Sequence, residues 1–166
     1  FPYTTLFRSC YAAYHTAGVQ VVCLRFFTVF GPRQRPDLAI HKFCHLIDAG
    51  KTVELFGDGT TRRDYTFVLD IVAGIESAMT YALPGFDVIN LGRSEPVMLF
   101  DMVKSLEKHL GKTANIVHKP MQIGDVPYTY ASIDHAREVL GYSPKTSFDE
   151  GVRRFVEWYV SSRAKV

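Results

Sequence analysis

Arg33, Arg35, Arg62 and Arg63, together with the ring of Phe56, are the side chains of this sequence best equipped for chemistry. They lie in two stretches, Leu24-Arg25-Phe26-Phe27-Thr28-Val29-Phe30-Gly31-Pro32-Arg33-Gln34-Arg35-Pro36-Asp37 and Phe56-Gly57-Asp58-Gly59-Thr60-Thr61-Arg62-Arg63-Asp64-Tyr65. Each places arginines in a loop that follows a hydrophobic run. Guanidinium forks are matched to phosphate and carboxylate, and a flat apolar ring is matched to a base. A charged, ring-bearing ligand such as a nucleotide diphosphate fits that equipment. Surface solubility is the competing reading, strongest for Arg33 and Arg62. Loop positions directly after buried strands favour a binding role, because α/β proteins take ligands at the C-terminal ends of their strands.

Other motifs read as structure. Gly57-Asp58-Gly59 lacks the third glycine of a dinucleotide loop, since Arg62 stands there, and no helix N-terminus follows. It reads as a turn. His41 and His45 share a helical face, but Lys42 stands where a zinc protease has Glu and no third ligand is evident. The pair reads as a solvated helix face, so no metal site is expected. Gly124-Asp125-Val126-Pro127 is, taken alone, a turn with one carboxylate. No Ser/His/Asp or Cys/His system and no carboxylate pair stands out, so no catalytic residue is assigned.

The elements that must position these loops follow from apolar spacing. Tyr11 to Ala17 reads as a helix end stopped at Gly18. Val19 to Phe27 is nearly continuously apolar, which predicts a strand buried on both faces, as in a parallel sheet. A helix is expected from Pro36-Asp37 to Gly50, with Leu38, Phe43, Leu46 and Ile47 on one face. Strands are expected over Val53–Phe56, Thr66–Val68, Asp87–Leu91 and Ala114–His118. Further helices are expected from Asp70 to Pro84-Gly85, and over Met98–Leu110, Ile133–Leu140 and Asp149–Val160. Alternating strands and helices give an α/β class. A sheet this short leaves the strand near Val21 without some of its neighbours.

The chain has 166 residues, 47% of them apolar, which is one domain or slightly more with a sizeable core. Nineteen basic and 17 acidic residues leave a net charge of +2, which argues against a nucleic-acid or membrane-surface partner. Cys10, Cys23 and Cys44 are odd in number and irregularly spaced. They suggest no disulfide framework, and with no signal peptide the expected compartment is the cytoplasm. Residues 1–9, Phe1-Pro2-Tyr3-Thr4-Thr5-Leu6-Phe7-Arg8-Ser9, carry no evident period. They read as a truncated or non-native leader, leaving residues 10–166 for functional reasoning.

Several motifs in order resemble the C-terminal half of extended short-chain dehydrogenase/reductases acting on nucleotide sugars, above all UDP-glucuronate and UDP-glucose 4-epimerases. They are Leu24 through Pro32, Arg35-Pro36-Asp37, Gly57-Asp58-Gly59, Arg63-Asp64-Tyr65, Asn90-Leu91-Gly92, Gly124-Asp125-Val126, Leu140-Gly141-Tyr142, and Gly151 with Trp158-Tyr159. The resemblance implies the C-terminal part of a Rossmann-type parallel sheet plus the small substrate-binding α/β subdomain. It implies NAD as cofactor and a homodimeric parent. By this resemblance Phe26 and Phe27 end the strand beside the nicotinamide and Thr28 contacts the sugar. Phe56 stacks on uracil, Leu55 and the neighbouring backbone run along its edge, Arg63 binds the diphosphate, and Asp125 binds the ribose hydroxyls.

The family's Y-x-x-x-K motif and glycine-rich loop are not in this sequence: no Tyr has Lys four residues later. The chain thus reads as a substrate-binding fragment of an epimerase, inactive alone. Thr28 and Arg35 together suit a C6 carboxylate, pointing to UDP-glucuronate. Gln122 stands where galactose epimerases carry a second diphosphate arginine, and Leu69 where many members have Asp. The alternatives are a nucleotide-sugar dehydratase or reductase fragment, and a non-catalytic nucleotide-sugar-binding module.

Overall fold

A computed structural model describes residues 3–82 and 85–163. Phe1 and Pro2 of the expected leader, and Pro84 of the pair expected to close the third helix, lie outside the described residues. The elements in order are α1 (Tyr3–Ala17), β1 (Val21–Phe26), β2 (Thr28–Phe30), α2 (Ala39–Asp48), β3 (Thr52–Phe56), β4 (Arg62–Arg63), β5 (Tyr65–Phe67), α3 (Val68–Met79), β6 (Phe86–Leu91), β7 (Val97–Met98), α4 (Leu99–Leu110), β8 (Asn115–Lys119), α5 (Asp134–Leu140) and α6 (Phe148–Arg163). Strands and helices alternate, and the class is α/β.

Three strand pairs are parallel. β1 lies beside β6 with Val21 opposite Phe86, β2 beside β5 with Thr28 opposite Tyr65, and β3 beside β8 with Phe56 opposite Lys119. β4 and β7 form a short antiparallel pair. The Phe27 N–H donates to Leu91 O and the Thr28 N–H to Asp64 O, so the chain passes at Phe27 from the neighbour β6 to the neighbour β5.

Two cores result. In α2, Ile40, Phe43, Cys44 and Ile47 recur at helical spacing and are all buried against β3, α4 and α6. Gly151 lets α6 approach β2 closely: a Cβ there would lie 2.6 Å from the ring of Phe30. The second core joins Ile89 and Leu91 of β6 to Ile71 of α3 and Ala136 of α5.

The structure departs from the sequence reading at particular places. α1 starts at Tyr3, because Leu6, Phe7 and Cys10 form an apolar strip at helical spacing that faces β1. β1 is not buried on both faces: Cys23 is buried, whereas Phe26 is 48% exposed. The reason is that, among the described residues, β1 has β6 as its sole strand partner. α2 begins at Ala39, and Leu38 precedes it with an exposed side chain. α3 begins at Val68, two residues before the expected start at Asp70. No helix of the described residues is long and apolar enough to cross a membrane.

Candidate functional site

β3 carries Phe56 to its C-terminal end. Val53 and Leu55 alternate inward and are fully buried, so Phe56 stands on the opposite face, half-buried. The Leu55 side chain therefore serves the core, and only its backbone is left for a ligand. After Phe56 the chain turns through Gly57 and Gly59, both at positive φ (77° and 83°). The Asp58 carboxylate accepts bonds from the Thr60 N–H (3.0 Å) and hydroxyl (2.6 Å), which hold its pKa below the usual carboxylate value. The carbonyls of Gly59 and Thr61 accept the first N–H groups of α4, from Phe100 and Leu99. This turn caps a helix, as expected of structure and not of a dinucleotide loop.

The turn delivers β4. Arg62 pairs with Met98 of β7 on one side, and on the other exchanges backbone bonds with Pro127 and Thr129. Residues 120–127 thus leave from Lys119, the partner of Phe56, and arrive beside Arg62. Asp125 lies on this bridge, in a turn closed by its own N–H to Gln122 O. The consequence is an ion pair across 62 residues of sequence. Arg63 Nη2 donates to Asp125 Oδ1 at 2.5 Å, with side chains 23% and 35% exposed. Tyr65 sits beside the pair. Burial pushes its hydroxyl up to about 12, the Arg63 charge opposing and the Asp125 charge assisting.

Thr28 joins the same place through its backbone bond to Asp64 O and its register with Tyr65. Thr28 is thus tied by its backbone to the residue after Arg63, Arg63 to Asp125 by the ion pair, and Phe56 by its register with Lys119 to the segment that carries Asp125. Arg35 does not join them by any contact among the described residues. Its guanidinium pairs with Asp37 at 3.0 Å, on a side chain 74% exposed. Arg33 is exposed in the same loop. Phe26 and Phe27 open instead on a cavity of about 730 Å³ between α1 and β1, lined also by Leu6, Cys10, Cys23 and Asn90.

One organising residue escaped the sequence reading. Asp64 is fully buried, and its carboxylate accepts the N–H groups of Arg93 (2.8 Å), Ser94 (2.9 Å) and Ala131 (3.0 Å), and the Thr66 hydroxyl (3.2 Å). It gathers the loop after β6 and the segment before α5 directly behind Arg63. Gly92 makes room for this knot, since a Cβ there would meet Ala131 Cβ at 2.3 Å. The histidine face also differs from expectation. His41 Nδ1 lies 2.6 Å from Gln34 O, and its ring stands edge-on to Phe155 and Trp158, so α6 covers it. Among the described residues, no three His, Cys, Asp or Glu side chains come together as metal ligands would.

The profile of the GDP-mannose 4,6 dehydratase family matches residues 5–155. The chain belongs to this family. It corresponds to the C-terminal half of the family's NAD-dependent nucleotide-sugar epimerases and dehydratases. It is 37% identical over 164 residues to a probable UDP-glucuronate 4-epimerase of Rhizobium meliloti, covering 87% of this chain and 48% of that protein. The UDP-glucuronic acid 4-epimerase of Bacillus cereus, solved with UDP-glucuronic acid and NAD, superposes with a TM-score of 0.86 at 33% identity, over 92% of this chain and 49% of that one. A Thermotoga maritima UDP-glucose 4-epimerase, solved with UDP-glucose, gives 0.90 at 29% identity, over 96% and 52%. The chain spans about half the length of the curated relatives it matches.

The family's cofactor finds only part of a site in these residues. Phe26 and Phe27 present apolar rings at a strand end, which suits one face of a nicotinamide. The sequence has neither a glycine-rich loop nor a Y-x-x-x-K pair, and its Gly57–Gly59 turn is occupied in capping α4. The residues of this chain do not fit a whole dinucleotide, and no hydride or proton step is derived from them.

Proposed function

We propose that this chain is the substrate-binding half of an NAD-dependent UDP-sugar 4-epimerase, with UDP-glucuronate as its preferred sugar nucleotide. The observation that carries the reading is the Arg63–Asp125 pair, formed on the segment that runs from Lys119, the strand partner of Phe56, to β4. A diphosphate needs a guanidinium, the adjoining ribose a carboxylate that accepts its paired hydroxyls, and the base a flat ring. Arg63, Asp125 and Phe56 supply these groups. In this reading the ligand separates the ion pair, Arg63 turning to the phosphates and Asp125 to the ribose. Thr28 meets the sugar at the start of β2. The uronate preference is supported by relatives named UDP-glucuronate 4-epimerases at 35–38% identity. It assigns Arg35 to the C6 carboxylate, exchanging Asp37 for the ligand's anion. NAD belongs to the whole enzyme and meets this chain at Phe26 and Phe27. A dehydratase is the second reading, favoured by the description of the matching family; a product that has lost water, formed by the full-length enzyme, would establish it.

Calorimetric titration tests the site. The chain is expected to bind UDP-glucuronate, and Arg63→Ala to remove a charge-assisted contact of about 1.5–3 kcal/mol, weakening binding roughly 10- to 100-fold. Unchanged affinity would overturn the diphosphate assignment. Arg35→Ala should weaken UDP-glucuronate and spare UDP-glucose. Equal effects on both would leave Arg35 as a brace for Asp37 and remove the uronate preference.

A further inference from the structure

The three cysteines differ in setting. Cys44 is wholly buried in the larger core, where burial pushes its thiol up to about 12. Cys10, on α1, and Cys23, at the third position of β1, both line the 730 Å³ cavity. The turn at Gly18 folds α1 back along β1, which makes Cys10 a neighbour of Cys23. Cys10 is half-buried and Cys23 is buried. Burial first, and then the neighbouring Cys10, push Cys23 up to about 11, so at neutral pH Cys23 holds its proton. The sulfur a solution reagent meets first is therefore that of Cys10.

We propose that Cys10 and Cys23 are a dithiol modification site, at which a low-molecular-weight disulfide such as oxidised glutathione closes an intramolecular bond between α1 and β1. In the first step the Cys10 thiolate attacks one sulfur of the reagent. The reagent's S–S bond breaks, and one glutathione leaves as thiolate and takes up the proton Cys10 lost. In the second step the Cys23 sulfur attacks Cys10 Sγ, loses its proton, and displaces the second glutathione, which is protonated in turn. Two protein thiols are oxidised and one reagent disulfide is reduced to two thiols. The new bond ties α1 down across the cavity on which Phe26 and Phe27 open.

The test uses the reduced full chain, incubated natively with oxidised glutathione, quenched in acid, alkylated and mapped by mass spectrometry. The expected result is a loss of two hydrogens and a Cys10–Cys23 cross-linked peptide, with Cys44 alkylated only after unfolding. Cys23→Ala should stop at a glutathione adduct on Cys10, and Cys44→Ala should still close the bond. A persistent adduct on Cys10 of the unaltered chain with Cys23 free, a bond between two chains, or a Cys10–Cys23 bond that forms only in denaturant would each overturn the proposal. The unaltered chain alone decides these outcomes if a variant fails to fold.

Discussion

At the residue scale, Arg63 and Asp64 are neighbours in sequence with opposite duties. Arg63 reaches out to a partially exposed carboxylate, whereas Asp64 points inward and accepts three backbone N–H groups from two distant segments. Removing Asp64 would leave those donors buried without an acceptor, at about 1–3 kcal/mol for each one not rehydrated. Asp64→Ala is therefore expected to destabilise the chain by roughly 3 kcal/mol or more, read as a lowered urea midpoint, and to weaken UDP binding indirectly. A midpoint unchanged by this substitution would show that water replaces the carboxylate. The arginines were legible in the sequence because charge in a loop after an apolar run is a local pattern. The Asp64 knot was not, since its donors, Arg93, Ser94 and Ala131, lie far away along the chain. Arg35 was read as a partner for a C6 carboxylate; in the structure its guanidinium meets the carboxylate of Asp37, two positions on.

At the element scale, α4 and α6 are tied at one carboxylate. Asp149, in the first turn of α6, accepts bonds from Lys108, Ser105 and His109 of α4. The Lys108 bond above all, with those of Ser105 and His109, holds Asp149 down at about 2 against an ordinary 3.8. Between those values the unfolded chain binds the proton and the folded chain does not, so acid favours unfolding. The contribution is complete above about pH 4 and disappears as pH falls toward 2. Solvent screening keeps it small, the side chain being 48% exposed. Asp149→Asn should flatten the acid limb of the stability–pH profile in that window, and an identical limb would contradict the tie. Long amphipathic helices such as α2 and α4 could be read from their spacing. β2, β4 and β7 could not, because two or three residues contain no period; their strands are fixed by partners, not by propensity.

At the scale of the whole molecule, β1 presents one strand edge without a partner among the described residues, next to an apolar cavity and the half-exposed Phe26. Such edges and patches drive association. The chain alone is expected to self-associate in sedimentation velocity, and Phe26→Lys to shift it toward monomer. A monodisperse monomer at high concentration would contradict this. The continuous apolar run of Val19 to Phe27 was legible as a sheet interior; what covers a strand depends on chain that the run does not specify. A UDP-sugar site built from Thr28, Phe56, Arg63 and Asp125 is tested most directly by amide NMR of the chain titrated with UDP-glucuronate. Shifts are expected at Phe56, Gly57, Arg63 and Asp125. Shifts confined to the α1–β1 cavity, or none at all, would contradict the site.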